Sequence, residues 1–373
     1  MNQCTDAEAV AALAADLIRI DSRSFVSNLA LAERVEAALP GFEIEHLDFT
    51  DANGVGKRAL VAHRGGPGGL ALSGHMDTVP DTGWGEDPFS ARVDGEGVMH
   101  GLGAADMKGP LASCIVAALG MPADHPVTLL ITTDEETTKA GAAIIAEEST
   151  LARRAALRGI VVAEPTRLAP VRGHRGTVNF EAVAKGSQAH SSTGQGVNAN
   201  LALIPFLAEM RALHDRLREE PGFRDPGYDP PFPDFNITVD NHGTAINVTV
   251  ARATARMKFR YSRRLDPAPV IRAVEEAAAR ASLSLTFVVD GSPPELPENH
   301  PLVRSAMVAT GKAARTVPFG TDATRLNALA PCIVLGPGDI GVAHSPGERV
   351  PLSELAAAVP LFRRLLREGS AAG

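Results

Sequence analysis

Residues 127–136, VTLLITTDEE, are an apolar run that leads directly into three adjacent carboxylates. An apolar run of this length is typical of a strand that is buried on both faces of a sheet. Neighbouring carboxylates beside a buried strand repel one another and resist desolvation, so they need a cation or unusual pKa values. A run of charges is usually a solvated face, but the buried strand before this one favours a functional site. One of these carboxylates could bind a metal while its neighbour moves protons.

Three more apolar runs lead into titratable residues that can bind a metal ion. Residues 70–73 lead into Gly74-His75-Met76-Asp77, residues 159–163 lead into Glu164, and residues 331–335 lead into a Gly-Pro-Gly turn and then His344. Helical patterns lie between these runs at 107–119, 141–157 and 352–366. Strands that alternate with helices predict an α/β fold, here a catalytic three-layer domain around a mostly parallel sheet. The strand ends are expected at its ligand-binding edge.

The first 40 residues have helical character. Val10, Leu13 and Leu17 recur at helical spacing after Thr5, which is a suitable N-cap, and residues 29–39 form a second amphipathic pattern. The first residues contain no basic leader followed by an apolar stretch, and no run approaches the roughly 20 apolar residues of a membrane-spanning helix. A membrane partner is therefore not expected.

Composition and charge exclude several further classes of protein. Of the 373 residues, 45% are hydrophobic and 21% are charged, and the net charge of −8 lacks the basic footprint that nucleic acids require. Cys4, Cys114 and Cys332 are far apart and form neither a disulfide framework nor a Cys-x-x-Cys metal site. These features predict a cytoplasmic protein that has no nucleic-acid partner.

Residues 173–290 follow a different pattern from the rest of the chain. Strands are expected at 176–185, 234–240, 244–251, 252–261 and 283–289, and helices at 198–217 and 267–281. The stretch 221–233 is rich in Pro and Gly and is expected to be a loop. Such a block inside an alternating α/β pattern indicates an inserted α+β domain. The predicted organisation is a catalytic domain made of 1–172 and 291–373, interrupted by a smaller domain at 173–290.

His75 and Asp77 are candidates for a metal site because alternate residues of an extended segment point to the same face. A metal-binding imidazole usually donates its other N–H to a carboxylate. Asp106 follows the glycine-rich stretch 101–105, whose glycines suggest a phosphate cradle but match neither the dinucleotide-binding nor the Walker pattern. Asp106 is equally suited to cap the helix that follows it.

Two imidazoles and several carboxylates are thus expected at or near strand ends of one sheet. Mixed His and carboxylate ligation suits Zn²⁺, Mn²⁺ or Co²⁺ better than Mg²⁺ or a structural zinc site.

Six short motifs, in order, give the chain a specific resemblance to a known family. They are SGHMDTVP (73–80), GLGAADMKG (101–109), TTDEET (132–137), AEPT (163–166), AHSS (189–192) and AHSPGE (343–348). The chain resembles the M20 metallopeptidases and deacylases over nearly its whole length, in particular the group of acetylornithine deacetylase and succinyl-diaminopimelate desuccinylase. The resemblance implies a catalytic α/β domain interrupted by an α+β lid, which often mediates homodimerisation.

The resemblance also implies a role for each matching residue. Two divalent ions, expected to be zinc with cobalt or manganese as alternatives, would be held by His75, Asp106, Glu136, Glu164 and His344, with Asp106 bridging both. Asp77 would orient His75, and Glu135 would be the general base. From the lid, His190 would stabilise the oxyanion, in some members across the subunit interface, and Asn247 and Arg260 would hold the substrate.

The predicted reaction is hydrolysis of the amide bond of an N-acyl amino acid, of the deacetylase or desuccinylase type found in arginine or lysine biosynthesis. Residues 334–346 look closest to the deacetylase, residues 259–262 lean towards the desuccinylase, and residues 320–323 depart from the desuccinylase pattern. Dipeptidases, carboxypeptidases and aminoacylases of the family are alternatives because they share the catalytic residues. Outside the family, a two-metal phosphoesterase and a binding protein on a decayed hydrolase scaffold are the alternatives.

Overall fold

The structure, a computed structural model, describes residues 5–371. It forms two compact units. Unit 1 contains the chain up to Gly173, Pro294–Thr316 and the chain from Thr321 onward, and unit 2 contains His174–Pro293 and Val317–Gly320.

Most helices and strands belong to unit 1. The strands are β1 (Glu43–Thr50), β2 (Gly56–Arg64), β3 (Leu70–His75), β4 (Arg92–Val93), β5 (Val98–His100), β6 (Val127–Thr132), β7 (Gly159–Pro165), β8 (Val171–His174), β13 (Arg315–Val317), β14 (Cys332–Gly336) and β15 (Arg349–Pro351). The helices are α1 (Asp6–Ile18), α2 (Leu29–Ala37), α3 (Lys108–Leu119), α4 (Ala140–Glu148), α5 (Thr150–Arg154), α8 (Pro301–Thr310), α9 (Ala323–Leu326) and α10 (Leu352–Ala371), with a 3₁₀ turn at Ile340–Val342.

The central sheet has eight strands in the order β1-β2-β6-β3-β7-β14-β8-β13. Its four middle strands, β6, β3, β7 and β14, are parallel, so their carboxyl ends meet at one edge. β1, β2 and β8 pair antiparallel with their neighbours. A separate antiparallel sheet has the order β15-β5-β4. The predicted α/β class with a mostly parallel sheet is confirmed.

Two groups of helices cover the central sheet. Helices α1, α3 and α10 pack on one another, and α3 and α10 also pack on β3. Helices α4 and α9 pack together, with α4 against β2 and β6 and α9 against β14. Because every residue of β3 and β6 is buried, both faces of these strands are covered, and the two helix groups form the outer layers.

Local signals explain where these helices begin and end. Thr5 is the N-cap of α1, as predicted, and it forms a reciprocal capping box with Glu8. The predicted helix 141–157 is instead two helices, because Ser149 is extended and its hydroxyl caps α5 through the Ala152 N–H. Among residues 5–371, none of the helices combines the length and apolar character required to cross a membrane.

Unit 2 is an antiparallel sheet with two helices. Its elements are β9 (Gly176–Lys185), α6 (Ala199–Glu219), a 3₁₀ turn at Pro221–Phe223, β10 (Asp234–Asp240), β11 (Arg252–Tyr261), α7 (Ala268–Arg280) and β12 (Ser284–Val289), and the strand order is β10-β11-β9-β12. The helix α6 packs on β9 and β11, and α7 packs on β12, around a core that includes Phe206 and Phe259.

The predicted strand at 244–251 is wrong. This stretch is a loop whose single strand-like contact is the bridge between Val248 and His190. Of its apolar residues, Ile246 is fully exposed, whereas Val250 is buried in the core of unit 2. Alternating polarity alone did not predict the structure here, because the segment makes backbone hydrogen bonds with residues 186–191 but forms no regular strand ladder with them.

Candidate metal centre

The five residues predicted as metal ligands come from five separate segments of unit 1. His75 is the last residue of β3, and Glu164 lies near the end of β7. Since β3 and β7 are adjacent parallel strands, both side chains reach the same edge of the sheet. Glu136 follows β6, Asp106 precedes α3, and His344 lies in the loop before β15.

His75, Asp106 and Glu164 form what we name the buried group. His75 Nε2 lies 3.0 Å from Asp106 Oδ1 and 4.0 Å from Glu164 Oε1. All three side chains are buried, and that of His75 is only 1% exposed. One ligand atom from each residue lies within 4.8 Å of the other two, close enough to share one ion.

Asp106, Glu136 and His344 form what we name the half-exposed group. His344 Nε2 lies 3.0 Å from Glu136 Oε1 and 3.3 Å from Asp106 Oδ2. The His344 side chain is 51% exposed. Asp106 therefore turns one carboxylate oxygen towards each group, and the two groups share this residue.

The carboxylates of both groups are electrostatically crowded. Burial and, to a smaller extent, the nearby charge of Asp106 together raise the pKa of Glu136 to about 8. The same two causes raise the pKa of Glu164 well above its ordinary value. Burial also acts to raise the pKa of Asp106, but hydrogen bonds from His344 and His75 outweigh it and hold that pKa below its usual range. Hydrogen bonds to Asp106 and Glu136 raise the pKa of His344 to about 11. Such crowding is expected where a cation completes the site.

The donor atoms and their spacing fit divalent ions. Zinc bonds to His and carboxylate ligands of about 2.0–2.2 Å place neighbouring ligand atoms roughly 3.3–3.6 Å apart in a tetrahedral site. The separations of 3.0, 3.3 and 4.0 Å span this range. Each group supplies one imidazole and two carboxylates, so each would hold one divalent ion of the Zn²⁺, Mn²⁺ or Co²⁺ kind.

Asp77 connects His75 to the segment that carries Glu135 and Glu136. His75 Nδ1 lies 2.9 Å from the Asp77 carbonyl oxygen and 3.5 Å from its carboxylate. The same carboxylate accepts hydrogen bonds from the backbone N–H groups of Glu135 and Glu136 and from Ser24 Oγ. The sequence predicts only the contact with His75. The structure adds that Asp77 also fixes the backbone of the turn that follows β6.

A buried ion pair fixes the other side of this turn. Lys57 Nζ lies 3.0 Å from Asp134 Oδ1 and also donates to two backbone carbonyls, those of Ser24 and Val26. Asp134 has a positive φ of 59°, and its carbonyl accepts three N–H groups, those of residues 137–139. Sequence analysis missed Lys57, since a lysine at the start of a strand carries no signal for burial.

Glu135, the predicted general base, follows Asp134 directly. Its side chain is mostly buried, and Lys139 Nζ lies 3.4 Å from its Oε1. A cavity of about 380 Å³ borders the neighbouring Glu136 and is lined by apolar residues such as Phe25 and Phe49. Cavities of this size accommodate small molecules.

The three predicted lid residues all lie in unit 2. His190 and Asn247 are exposed and lie on adjacent segments, since the Ser191 N–H donates to the Asn247 carbonyl. His190 Nδ1 is 2.8 Å from Ser192 Oγ. Arg260 lies on β11, where its Nη1 donates to Asp234 Oδ2 at 2.5 Å. Unit 2 thus brings His190 and Asn247 together.

Glu348 is a further residue of unit 1, at the end of the motif AHSPGE (343–348), and the sequence alone predicts no role for it. Its Oε1 accepts hydrogen bonds from the backbone N–H groups of Ala105 and Asp106, both at 3.0 Å. The one sequence feature that could have drawn attention to Glu348 is its position four residues after His344. That spacing does not predict a contact with a loop some 240 residues earlier in the chain.

The chain is similar to known proteins over most of its length. An acetylornithine deacetylase from Proteus mirabilis strain HI4320 is 34% identical over 349 residues, which cover 89% of this chain and 88% of that protein. An acetylornithine deacetylase from Myxococcus xanthus is 34% identical over 367 residues, covering 93% and 94% of the two chains.

A solved structure shares the fold. The M20 family metallo-carboxypeptidase from Sulfolobus solfataricus aligns with a TM-score of 0.73 and 17% identity, covering 97% of this chain and 99% of that one. The model of Peptidase family M20/M25/M40 matches residues 71–368, which include all five candidate ligands. The family resemblance seen in the sequence is confirmed, and the chain is a hydrolase that belongs to Peptidase family M20/M25/M40.

Proposed function

We propose that the chain hydrolyses the amide bond of an N-acyl amino acid and releases a carboxylate and a free amine. The observation that carries the proposal is the pair of ligand groups that share Asp106, with Glu135 next to the ligand Glu136. The acetylornithine deacetylases that are 34% identical to it support an N-acyl amino acid as the substrate class, of the deacetylase or desuccinylase type.

In this proposal the carboxylate of Glu135 takes a proton from the attacking water as the water oxygen bonds to the acyl carbon. Two bound divalent ions would lower the pKa of a water and polarise the scissile carbonyl. Glu135 then returns the proton to the amine nitrogen as the C–N bond breaks. Positioned proton transfer of this kind contributes about 10²–10⁴-fold to a rate. Asp77 supports the step because it holds the backbone of Glu135.

The exposed residues of unit 2 would recognise the substrate. His190 would donate a hydrogen bond to the oxygen that becomes negative when water adds to the carbonyl. Arg260 has five N–H donors, so it can bind a substrate carboxylate as well as Asp234. Asn247, which neighbours His190, would add a polar contact.

The family alternatives, a dipeptidase, a carboxypeptidase or an aminoacylase, would use the same ligands and the same base. These enzymes differ in the part of the substrate that occupies the space around the metal centre. The phosphoesterase alternative is disfavoured because it requires a cation that faces a phosphate. Lys108, two residues after Asp106, has a buried side chain and donates to the Ile20 carbonyl at 2.7 Å, and Lys139 Nζ lies 3.4 Å from the Glu135 carboxylate, so both lysines already have partners within the protein.

A kinetic screen on protein of measured metal content tests the proposal. The panel contains N-acetyl and N-succinyl amino acids, dipeptides and one generic phosphoester. We expect the highest kcat/KM for an N-acyl amino acid. Dipeptides as the best substrates would move the protein to the peptidase alternative, and hydrolysis of the phosphoester alone would refute amide hydrolysis.

We also propose zinc as the native metal, with cobalt or manganese as functional substitutes. The support is the imidazole and carboxylate donor set of both groups. Elemental analysis of protein purified without added metal tests this, and we expect up to two zinc ions per chain. Magnesium as the bound metal would contradict it.

A homodimer through unit 2 is a further proposal. The helix α6 exposes Leu201 (69%) and Ile204 (58%), and the edge strand β12 exposes most of its residues, Val288 among them. Exposed apolar side chains and a strand at the edge of a sheet each favour association. Light scattering should report a dimer that the double change Leu201→Glu and Ile204→Glu dissociates, whereas Val239→Glu on the opposite edge strand β10 should not. A wild-type monomer would contradict the proposal.

A cytoplasmic location is proposed from the cysteines. Cys114 and Cys332 are buried and free, which suits a reducing compartment. Cell fractionation tests this, and recovery of the protein outside the cytoplasm would contradict it.

A further inference from the structure

The loop that carries Asp106 encloses a carboxylate of the chain itself. The glycine-rich stretch 101–105 resembles a phosphate cradle in sequence, but the N–H groups of Ala105 and Asp106 donate to Glu348 Oε1 at 3.0 Å. The N–H of Gly103, which has a positive φ of 85°, is a further donor to the same side chain. Glu348 is only 1% exposed. The cradle is therefore filled by a buried side chain.

Glu348 also belongs to the segment that carries His344. Its backbone N–H donates to the Ser345 carbonyl at 3.0 Å, which closes a turn directly after His344. The backbone carbonyl of Glu348 accepts the Gly101 N–H, and the next residue begins β15, which pairs with β5. One residue thus joins the His344 turn to the Asp106 loop through its side chain and its backbone.

We propose that Glu348 is a positioning residue that holds Asp106 and His344 at the separation needed to bind one ion together. The inference rests on the proposed metal site. Asp106 is shared by both groups, and neither Asp106 nor His344 lies within a strand of the central sheet. Besides the direct contact of His344 Nε2 with Asp106 Oδ2 at 3.3 Å, the Glu348 carboxylate joins their two segments through its hydrogen bonds to the N–H groups of Ala105 and Asp106. The role is therefore distinct from that of a ligand, because Glu348 acts on the backbone that presents the ligand.

Two variants separate hydrogen bonding from packing. Glu348→Met keeps the approximate volume but removes both acceptor oxygens, whereas Glu348→Gln keeps one acceptor. We expect Glu348→Met to lower Co²⁺ affinity by about 10- to 100-fold, the usual effect of losing a residue that supports a metal ligand. Glu348→Gln should give an intermediate loss, because a neutral acceptor makes weaker hydrogen bonds than a carboxylate.

The measurements are Co²⁺ dissociation constants by calorimetry, the visible absorption spectrum of the Co²⁺-loaded protein, and thermal unfolding of the metal-free protein. The spectrum reports ligand geometry directly and should change in both Glu348 variants. Glu45→Gln is the matched control, since Glu45 accepts backbone N–H groups from Thr150 and Leu151 but lies on the edge strand β1. This control should leave Co²⁺ affinity and spectrum unchanged.

The outcomes distinguish this inference from the metal site itself. Wild-type protein that binds no Co²⁺ would refute the metal site. Wild-type affinity and spectrum in Glu348→Met would overturn the role of Glu348 while the site stands, and so would an equal loss in Glu45→Gln. If Glu348→Met does not fold, Glu348→Gln decides, because unchanged affinity and spectrum in that variant would overturn the inference.

Discussion

The buried group and the half-exposed group share Asp106, but different parts of the fold hold their remaining residues. His75 and Glu164 belong to adjacent parallel strands, so the hydrogen bonds of the sheet set their spacing. Glu136 and His344 lie in loops. Their positions depend on buried polar contacts, those of Asp77 with the Glu136 N–H and of Glu348 with the Asp106 loop.

This difference shows that the edge of the sheet positions only two of the candidate ligands, His75 and Glu164. In the proposed metal centre, the parallel strands would supply a buried position for one ion, with His75 only 1% exposed. The second position is assembled around it and keeps His344 half in solvent at 51% exposure. Removing single residues should therefore affect the two positions unequally, unless the residue is shared.

The largest effect is expected at the shared residue. Asp106→Ala removes a ligand from both groups at once, so we expect neither ion to bind tightly and turnover to be nearly lost. The loss should exceed the roughly 10- to 100-fold effect of residues that only support a ligand. Glu164→Ala and His344→Ala each remove a ligand from one group and should leave one ion bound. Calorimetric stoichiometry checks this, and one tightly bound ion in Asp106→Ala would contradict a shared ligand.

Glu135→Ala should separate chemistry from metal binding. Glu135 neighbours a ligand but belongs to neither group, so both ions should remain. Loss of the proposed base should lower kcat by about 10²–10⁴-fold. Steady-state kinetics together with metal analysis measure both quantities. Unchanged turnover in Glu135→Ala would contradict the role of Glu135 as the general base.

Lys57→Met tests the support of the turn that carries Glu135 and Glu136. The change leaves Asp134 buried without its cation and leaves the carbonyls of Ser24 and Val26 without their donor. Breaking a buried ion pair from one side costs about 3–5 kcal/mol of unfolding free energy. Urea unfolding of the metal-free protein measures this loss.

The double variant Lys57→Met with Asp134→Asn is the control for that experiment. Burial already raises the pKa of Asp134 despite Lys57, so the pair offsets only part of the cost of burying the carboxylate. Removing both charges should recover part of the lost stability. An unfolding free energy equal to wild type in the single variant would show that the ion pair does not support the turn.

The sequence predicted the parts of the molecule that depend on local pattern. The apolar runs of β3, β6, β7 and β14 were evident because a strand buried on both faces has no polar alternation. The expected strand at 244–251 failed, because pairing with a neighbouring strand is a tertiary property. Helix α8 was missed, although Pro301 at its start and Gly311 at its end are ordinary boundary signals.

The candidate metal site shows the same division between features that local sequence predicts and features that depend on the fold. Residue type and motif order identified the candidate ligands, and the structure brings all five into two groups. The contacts that orient them were not predictable, because Ala105 and Glu348 are 243 residues apart and meet only through the fold. Lys57 was missed for the same reason: its burial is set by Ser24, Val26 and Asp134 rather than by its neighbours in β2.

The smallest expected effect is a difference in the rate of metal release. A chelator should remove the ion of the half-exposed group first, because His344 is accessible to solvent whereas His75 is buried. We expect two phases of equal amplitude whose rates differ at least about tenfold, a separation that needs only about 1.4 kcal/mol. A chromophoric chelator that reports zinc release measures both phases. His344→Ala should abolish the fast phase, Glu164→Ala the slow one, and His46→Ala on the edge strand β1 neither. A single phase in the wild type would mean that the two positions hold their ions as one unit, despite the different burial of their ligands.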